Sequence, residues 1–158
     1  MRVLVGGVGY RNLRDGSLGP YLADALAKRA ADGIEVEDVS YHPVGLHQNL
    51  IDRDPYDRVV LVGAVNRPGR APGTIHSYRW DRQLPSTELI QERVSEAVTG
   101  VISLDNLLIV CTALGGLPED TRVVEVEPAD EGWGEGFSPV IEAKLEEIEE
   151  AVWTLTRP

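Results

Sequence analysis

The chain is short of most side chains that carry out covalent or metal chemistry. Its 158 residues include one cysteine, Cys111, and three histidines, His42, His47 and His76. A single cysteine can form neither an internal disulfide nor a cysteine-cluster metal site. Cys111 ends the apolar run from Leu107, a setting in which a thiol is ordinarily inert packing. Bases are also in deficit. Fifteen Lys and Arg stand against 26 Asp and Glu, giving a formal charge of −11, which argues against sequence-independent nucleic-acid binding. No apolar run reaches the ~20 residues that span a bilayer. The first nine residues read as a strand rather than a charged leader, so a cytoplasmic location is expected. The phosphate-loop pattern, the Gly-x-Ser-x-Gly elbow, internal repeats and low-complexity tracts are all missing.

What is present begins at once. Arg2-Val3-Leu4-Val5 runs into Gly6-Gly7-Val8-Gly9, then Asp15-Gly16-Ser17 and Leu18-Gly19-Pro20 lead into a helical pattern. A buried strand, a glycine turn and a helix form the first unit of a doubly wound α/β domain, whose ligand site lies outside the carboxyl end of that strand. Leu18, Tyr21, Leu22, Ala25 and Leu26 recur on one helical face. A second strand is expected over 34–39, a short helix around Leu46 and Leu50, and a central strand at Arg58–Val65. That central run is β-branched without alternation, as in a strand buried on both faces. Residues 74–80 alternate and read as an edge strand, and Pro85-Ser86 opens a helix with Leu89, Ile90, Val94, Ala97 and Val98 on one side. The Leu104–Leu114 segment fits either a buried strand or a buried helix by pattern alone. Arg122–Glu127 is a further strand. Ser138-Pro139 then starts a helix of about four turns, lined by Ile141, Leu145, Ile148, Val152 and Leu155. These elements imply one domain over residues 1–158, a three-layer α/β/α sandwich with a mostly parallel sheet and one antiparallel edge strand.

Few groups near the first loop can react. Asp15 is the one acid there, and it reads first as a helix cap or first-turn acid and only second as a catalytic group. Gly7 and Gly9 permit a tight turn and close helix packing. A dinucleotide site would need a third glycine where Asn12 stands, and Arg11 and Arg14 crowd the approach. His42 follows the second strand and overhangs the same crevice if the sheet is doubly wound. A metal site there would also require Asp15 and a third group, such as Asp38 or Asp57. His47 and His76 read as solvated. Trp133, in the glycine-rich loop 130–137, is expected to be exposed and to mark a contact surface, whereas Trp80 and Trp153 read as packing residues.

The order of these pieces resembles the hydrogenase maturation protease family, small α/β proteins that trim the C-terminal tail of the nickel-iron hydrogenase large subunit. Arg2–Gly19 is similar to the family's strand, Gly-x-Gly loop and Asp-x-x-x-Gly helix start. Gly45-Leu46, Ala71-Pro72-Gly73-Thr74, Leu104-Asp105-Asn106-Leu107-Leu108 with Gly115 and Leu117-Pro118, Val126-Glu127-Pro128 and Ser138-Pro139-Val140 resemble its later landmarks. The resemblance covers nearly the whole chain and favours helix for Leu104–Leu114. It also implies a nickel site built from an acid after the loop aspartate, an Asp ending the third strand and a His before the leucine-rich helix. Those positions correspond to Gly16, Gly63 and about Gly100, so the chain resembles a divergent member without the nickel ligands.

The expected function follows from match and departure together: a maturation-protease-like protein without nickel-dependent endopeptidase activity that binds a protein partner or peptide tail, such as a metalloenzyme large subunit. The expected cleft comprises Gly7, Gly9, Asp15, Gly16, His42, Gly45 and Gly63, with no metal and no other cofactor. Two alternatives stay open at this point. One is an active endopeptidase, centred on Asp15, that processes a hydrogenase large-subunit precursor. The other is a small-molecule or nucleotide-binding α/β protein using the glycine loop.

Overall fold

The computed structural model describes residues 1–158. Five strands form one sheet: β1 (Val3–Val8), β2 (Ile34–Asp38), β3 (Arg58–Ala64), β4 (Ile75–Arg79) and β5 (Asp120–Val126). Their order is β2-β1-β3-β5-β4, parallel throughout except for the antiparallel β4–β5 pair at the edge. Val5 lies between Val36 and Val60 in register, and Val8 lies opposite Gly63.

The strands send alternate residues to two helical layers. Val3, Val5, Val60, Val62, Val124 and Val126 pack against α1 (Leu18–Ala27) and α6 (Leu145–Thr156). Leu4, Val59, Leu61 and Val123 pack on the other side against α2 (Pro43–Ile51) and α4 (Leu104–Leu114). This is the three-layer sandwich expected from the sequence. Gly7 and Gly19 set the spacing of β1 and α1, since a Cβ on Gly7 would lie 2.0 Å from the Gly19 carbonyl oxygen. Cys111 is fully buried on α4, its Sγ 3.3 Å from the Pro43 carbonyl oxygen, and burial pushes the thiol up to about 12.

Leu104–Leu114 is helical. Ser103 caps it by accepting a hydrogen bond from the Asn106 N–H, and Gly115 ends it in the left-handed region at φ 80°. Several local expectations need correction. The C-terminal helix is broken, with α5 (Pro139–Glu142) ending before α6 begins at Leu145. Tyr21 faces solvent beside Phe137 instead of joining the core face of α1. On α3 (Thr87–Val98) only Ala97 is buried, and Val98 is 69% exposed, because this helix packs on α4 rather than on the sheet. His47 is not solvated at its Nδ1, which is buried beneath Gly116 without a partner.

Candidate functional site

A recess of about 200 Å³ opens outside the carboxyl ends of β1 and β3. It lies at the point where the chain turns from β1 to neighbours on either side, the location that doubly wound sheets reserve for ligands. It is lined by Gly9 and Tyr10, just after β1, by Ala64 and Asn66, at and beyond the end of β3, and by Ile102 and Asp105, just before and within the first turn of α4. Glu131, from the loop after β5, closes the remaining side above Gly16.

Asp15 does not point into this recess. It sits in a 3-10 turn (Arg14–Ser17) and is completely buried. One carboxylate oxygen accepts the Ser138 N–H at 2.8 Å. The other accepts the N–H groups of Ala129 (2.8 Å) and Asp130 (2.9 Å) and the Ser138 hydroxyl (2.7 Å). Burial alone would raise its pKa, but the backbone and hydroxyl of Ser138, with the backbone of Asp130 and Ala129, outweigh that and lower it. Asp15 therefore fastens the loop after β5 and does not cap α1, whose cap residue Ser17 makes no side-chain capping bond. The fastening is reinforced nearby. Arg14 N–H donates to the Gly134 carbonyl, Gly134 N–H donates to Asn12, and Arg14 pairs with Asp130 at 3.4 Å. Asn12 and Arg14 hold positive φ angles of 66° and 42° to make these bonds.

The other expected cleft residues divide. Gly9 and Gly16 line the recess, and Gly63 adjoins it behind Val8. Gly7 faces α1 instead. His42 caps α2, its Nδ1 accepting the Val44 N–H at 3.1 Å, and Gly45 lies one turn further on against Tyr41. Asp38 is engaged with Ser40 and Arg11, and Asp57 accepts the Arg2 N–H at the opposite end of the sheet. Asp15, His42 and these acids do not converge, and nowhere do three His, Cys, Asp or Glu side chains form a metal-holding group.

Nickel, the metal that the family resemblance implies, does not fit the residues present. A Cβ on Gly63 would fall 2.8 Å from the Val8 carbonyl oxygen, so the backbone has closed on that position. Gly100 has φ 93°, a conformation that strains any side chain. Gly16 has more space, with Leu13 Cβ at 3.2 Å and Glu131 Oε1 at 3.6 Å from a modest side-chain stub. The phenol of Tyr10 bridges the segment around Gly100, donating to the Gly100 carbonyl at 2.9 Å and accepting the Ile102 N–H at 2.5 Å.

Sequence reasoning missed an ion cluster beneath the recess. Alternation along β5 turns Glu125 toward the α4 layer, where it is 2% exposed. It accepts hydrogen bonds from Arg67, Arg70 and the Tyr78 hydroxyl, and Arg67 also makes a bidentate pair with Asp105 at 2.8 and 2.9 Å. Burial opposes the Glu125 charge, yet these donors pull its pKa down to about 2. Burial and the adjacent Glu125 hold the Tyr78 phenol well above its ordinary value. The cluster fixes α4 to β5 and spends the charge of Asp105. Glu131 was also missed. It is exposed at the rim of the recess and has no bonded partner, and the loss of part of its hydration there, then the negative charges of Asp15 and Glu127, raise its pKa. The only advance signal was its place in an acidic, glycine-rich loop.

No family model and no curated protein matches the sequence. Solved structures do. An endopeptidase from Escherichia coli is 26% identical with a TM-score of 0.74, the match covering 99% of this chain and 93% of that one. The hydrogenase maturating endopeptidase HybD of E. coli is also 26% identical, with a TM-score of 0.71 and coverage of 98% and 91%. A nickel-iron hydrogenase maturation protease, HybD of Thermococcus kodakarensis, has 17% identity, a TM-score of 0.68 and coverage of 99% and 100%, a likeness of fold. Fold and length thus agree with the resemblance read from the sequence, and the chain is similar to the hydrogenase maturation proteases from end to end.

Proposed function

We propose that this protein is a maturation-protease-like binding protein that has kept the peptide-facing cleft of its relatives without nickel-dependent endopeptidase chemistry. One observation carries the reading: the three positions that the family resemblance assigns to nickel are glycines, and at Gly63 the backbone leaves no room for a ligand side chain. Asp15 supplies no alternative catalytic acid, because all its acceptor capacity is taken by the loop after β5. What remains is a recess walled by strand ends and exposed main chain, a shape that suits an extended segment of a protein partner. The partner class most in keeping with the relatives is the tail of a metalloenzyme large subunit.

Calorimetry with nickel, on tag-free protein, tests the first half; no stoichiometric micromolar site is expected. A site that disappears on Asp15→Ala would restore the endopeptidase reading. Hydrogen exchange with a bound tail peptide tests the second half. Protection is expected in residues 9–16, 64–66, 102–105 and around 131, which line the recess, whereas protection confined to α6 would place binding elsewhere.

A further inference from the structure

The recess has an uncompensated charge of one sign. Its lining contains no Lys or Arg and two carboxylates, Asp105 and Glu131. Asp105 is neutralised by its bidentate pair with Arg67. Glu131 makes no ion pair, and the charges of Asp15 and Glu127, which act on it, are also negative. Its carboxyl lies over Gly16, 3.6 Å from where a Cβ would stand, so an acid from a different loop fills the side of the recess that Gly16 leaves open. Two residues further along, Trp133 is 80% exposed. The loop that carries it is held on both sides, by the Asp15 bonds at 129, 130 and 138 and by the Leu13–Gly134 bridge. A large aromatic displayed on a pre-ordered loop loses little entropy on contact, which is the character of an interface anchor.

We propose that the cleft selects a cationic segment of its partner: a Lys or Arg side chain pairs with Glu131 over Gly16 while the adjoining part of the segment packs on Trp133. This rests on the peptide-binding reading above and adds the chemistry of the occupant. An arriving cation meets a carboxylate that nothing in the protein satisfies. The interaction replaces like-charge repulsion with attraction at the exposed rim of the recess, so it should weaken as salt is raised. The guanidinium of Arg also stacks on an indole face. The overall charge of −11 favours the encounter but gives no address; Glu131 and Trp133 supply it.

The test uses the full chain and three fluorescein-labelled hexapeptides, alternating Val with Arg, Ser or Glu, at moderate salt. The Val–Arg peptide is expected to bind and to shift the amide resonances of Gly9, Gly16, Ile102 and Gly132. Glu131→Gln should weaken it about tenfold, and Trp133→Ala several-fold. Asp32→Asn, which removes the same charge from an exposed acid just before β2 at the opposite edge of the sheet, should leave affinity unchanged. Equal loss in Glu131→Gln and Asp32→Asn would reduce the effect to net charge and overturn the proposal. Equal binding of the Val–Ser peptide in the cleft would overturn the selectivity while leaving peptide binding intact. If none of the three peptides moves the cleft resonances, the peptide-binding reading falls and the selectivity with it.

Discussion

The two walls of the cleft are built by opposite means. One wall, residues 9–17 joined to 129–138, is stapled: a buried carboxylate takes four hydrogen bonds, and a short ladder and an ion pair are added beside it. The other wall, residues 100–103, is tied across the opening by a single phenol, and the exposed Val98 and Val101 flank it. A fully satisfied buried charge makes a rigid element, whereas a hydroxyl shared with solvent permits local opening. The difference makes the first wall the template and the second the side that gives when something enters.

The sharpest way to break this contrast is Asp15→Ala. It strands three N–H groups and a hydroxyl inside the protein, and a loss of about 3–5 kcal/mol in urea unfolding is expected, with faster amide exchange through 129–138. A loss under about 1 kcal/mol would show that the wall is not held by Asp15. Next in size is Gly63→Asp, expected to destabilise by about 2 kcal/mol as β1 and β3 move apart, whereas Gly16→Ala, which meets only side chains, should cost less than about 1 kcal/mol. If both fold equally well, the backbone has not closed on position 63. Tyr10→Phe should lose about 1 kcal/mol and accelerate exchange at Ile102 without touching 129–138, separating the two walls directly.

The acids provide a subtler test through pH. Asp15 and Glu125 ionise more readily in the folded chain than in the unfolded one. Each therefore adds stability above its unfolded pKa, and this is lost as pH falls through the folded value. For Glu125 the window runs from 4.5 down to about 2. The urea midpoint should fall across that window, and fall less steeply in Glu125→Gln. Glu131 has the opposite sign: its raised pKa makes its charge a burden on the folded state above the ordinary value. Glu131→Gln is accordingly expected to raise the urea midpoint slightly at neutral pH and to have no such effect below pH 4.5. A neutral-pH midpoint that drops would mean that Glu131 has a partner.

Much of the fold was legible because it depends on local patterns. The β-branched run at 59–62, the alternation at 75–79 and Pro85-Ser86 ahead of α3 each announce their element within a few residues, whereas Leu104–Leu114 fits strand or helix by pattern and is tipped to helix only by the family resemblance. The site was less legible because it depends on distant pairs. The separation of Asp15 from Ser138 is 123 residues, and of Arg67 from Glu125 is 58. No periodicity links such partners, so Asp15 reads as a cap and Glu125 as one more strand acid. The break at 143–144 escaped for a related reason: Ile141 and Leu145 keep helical spacing across it while the backbone between them departs from the helix.

The solitary Cys111 gives this protein a built-in clock. Its thiol is sealed between α2 and α4 and resists ionisation, so a thiol reagent can reach it only when that layer comes apart. The rate of modification in native buffer then counts openings of the layer beneath the Ser103–Asp105 wall, with no label introduced and no competing cysteine to subtract. Ligands that hold the cleft shut would slow that clock, and anything that merely adheres to the outer surface would leave it running at its own pace.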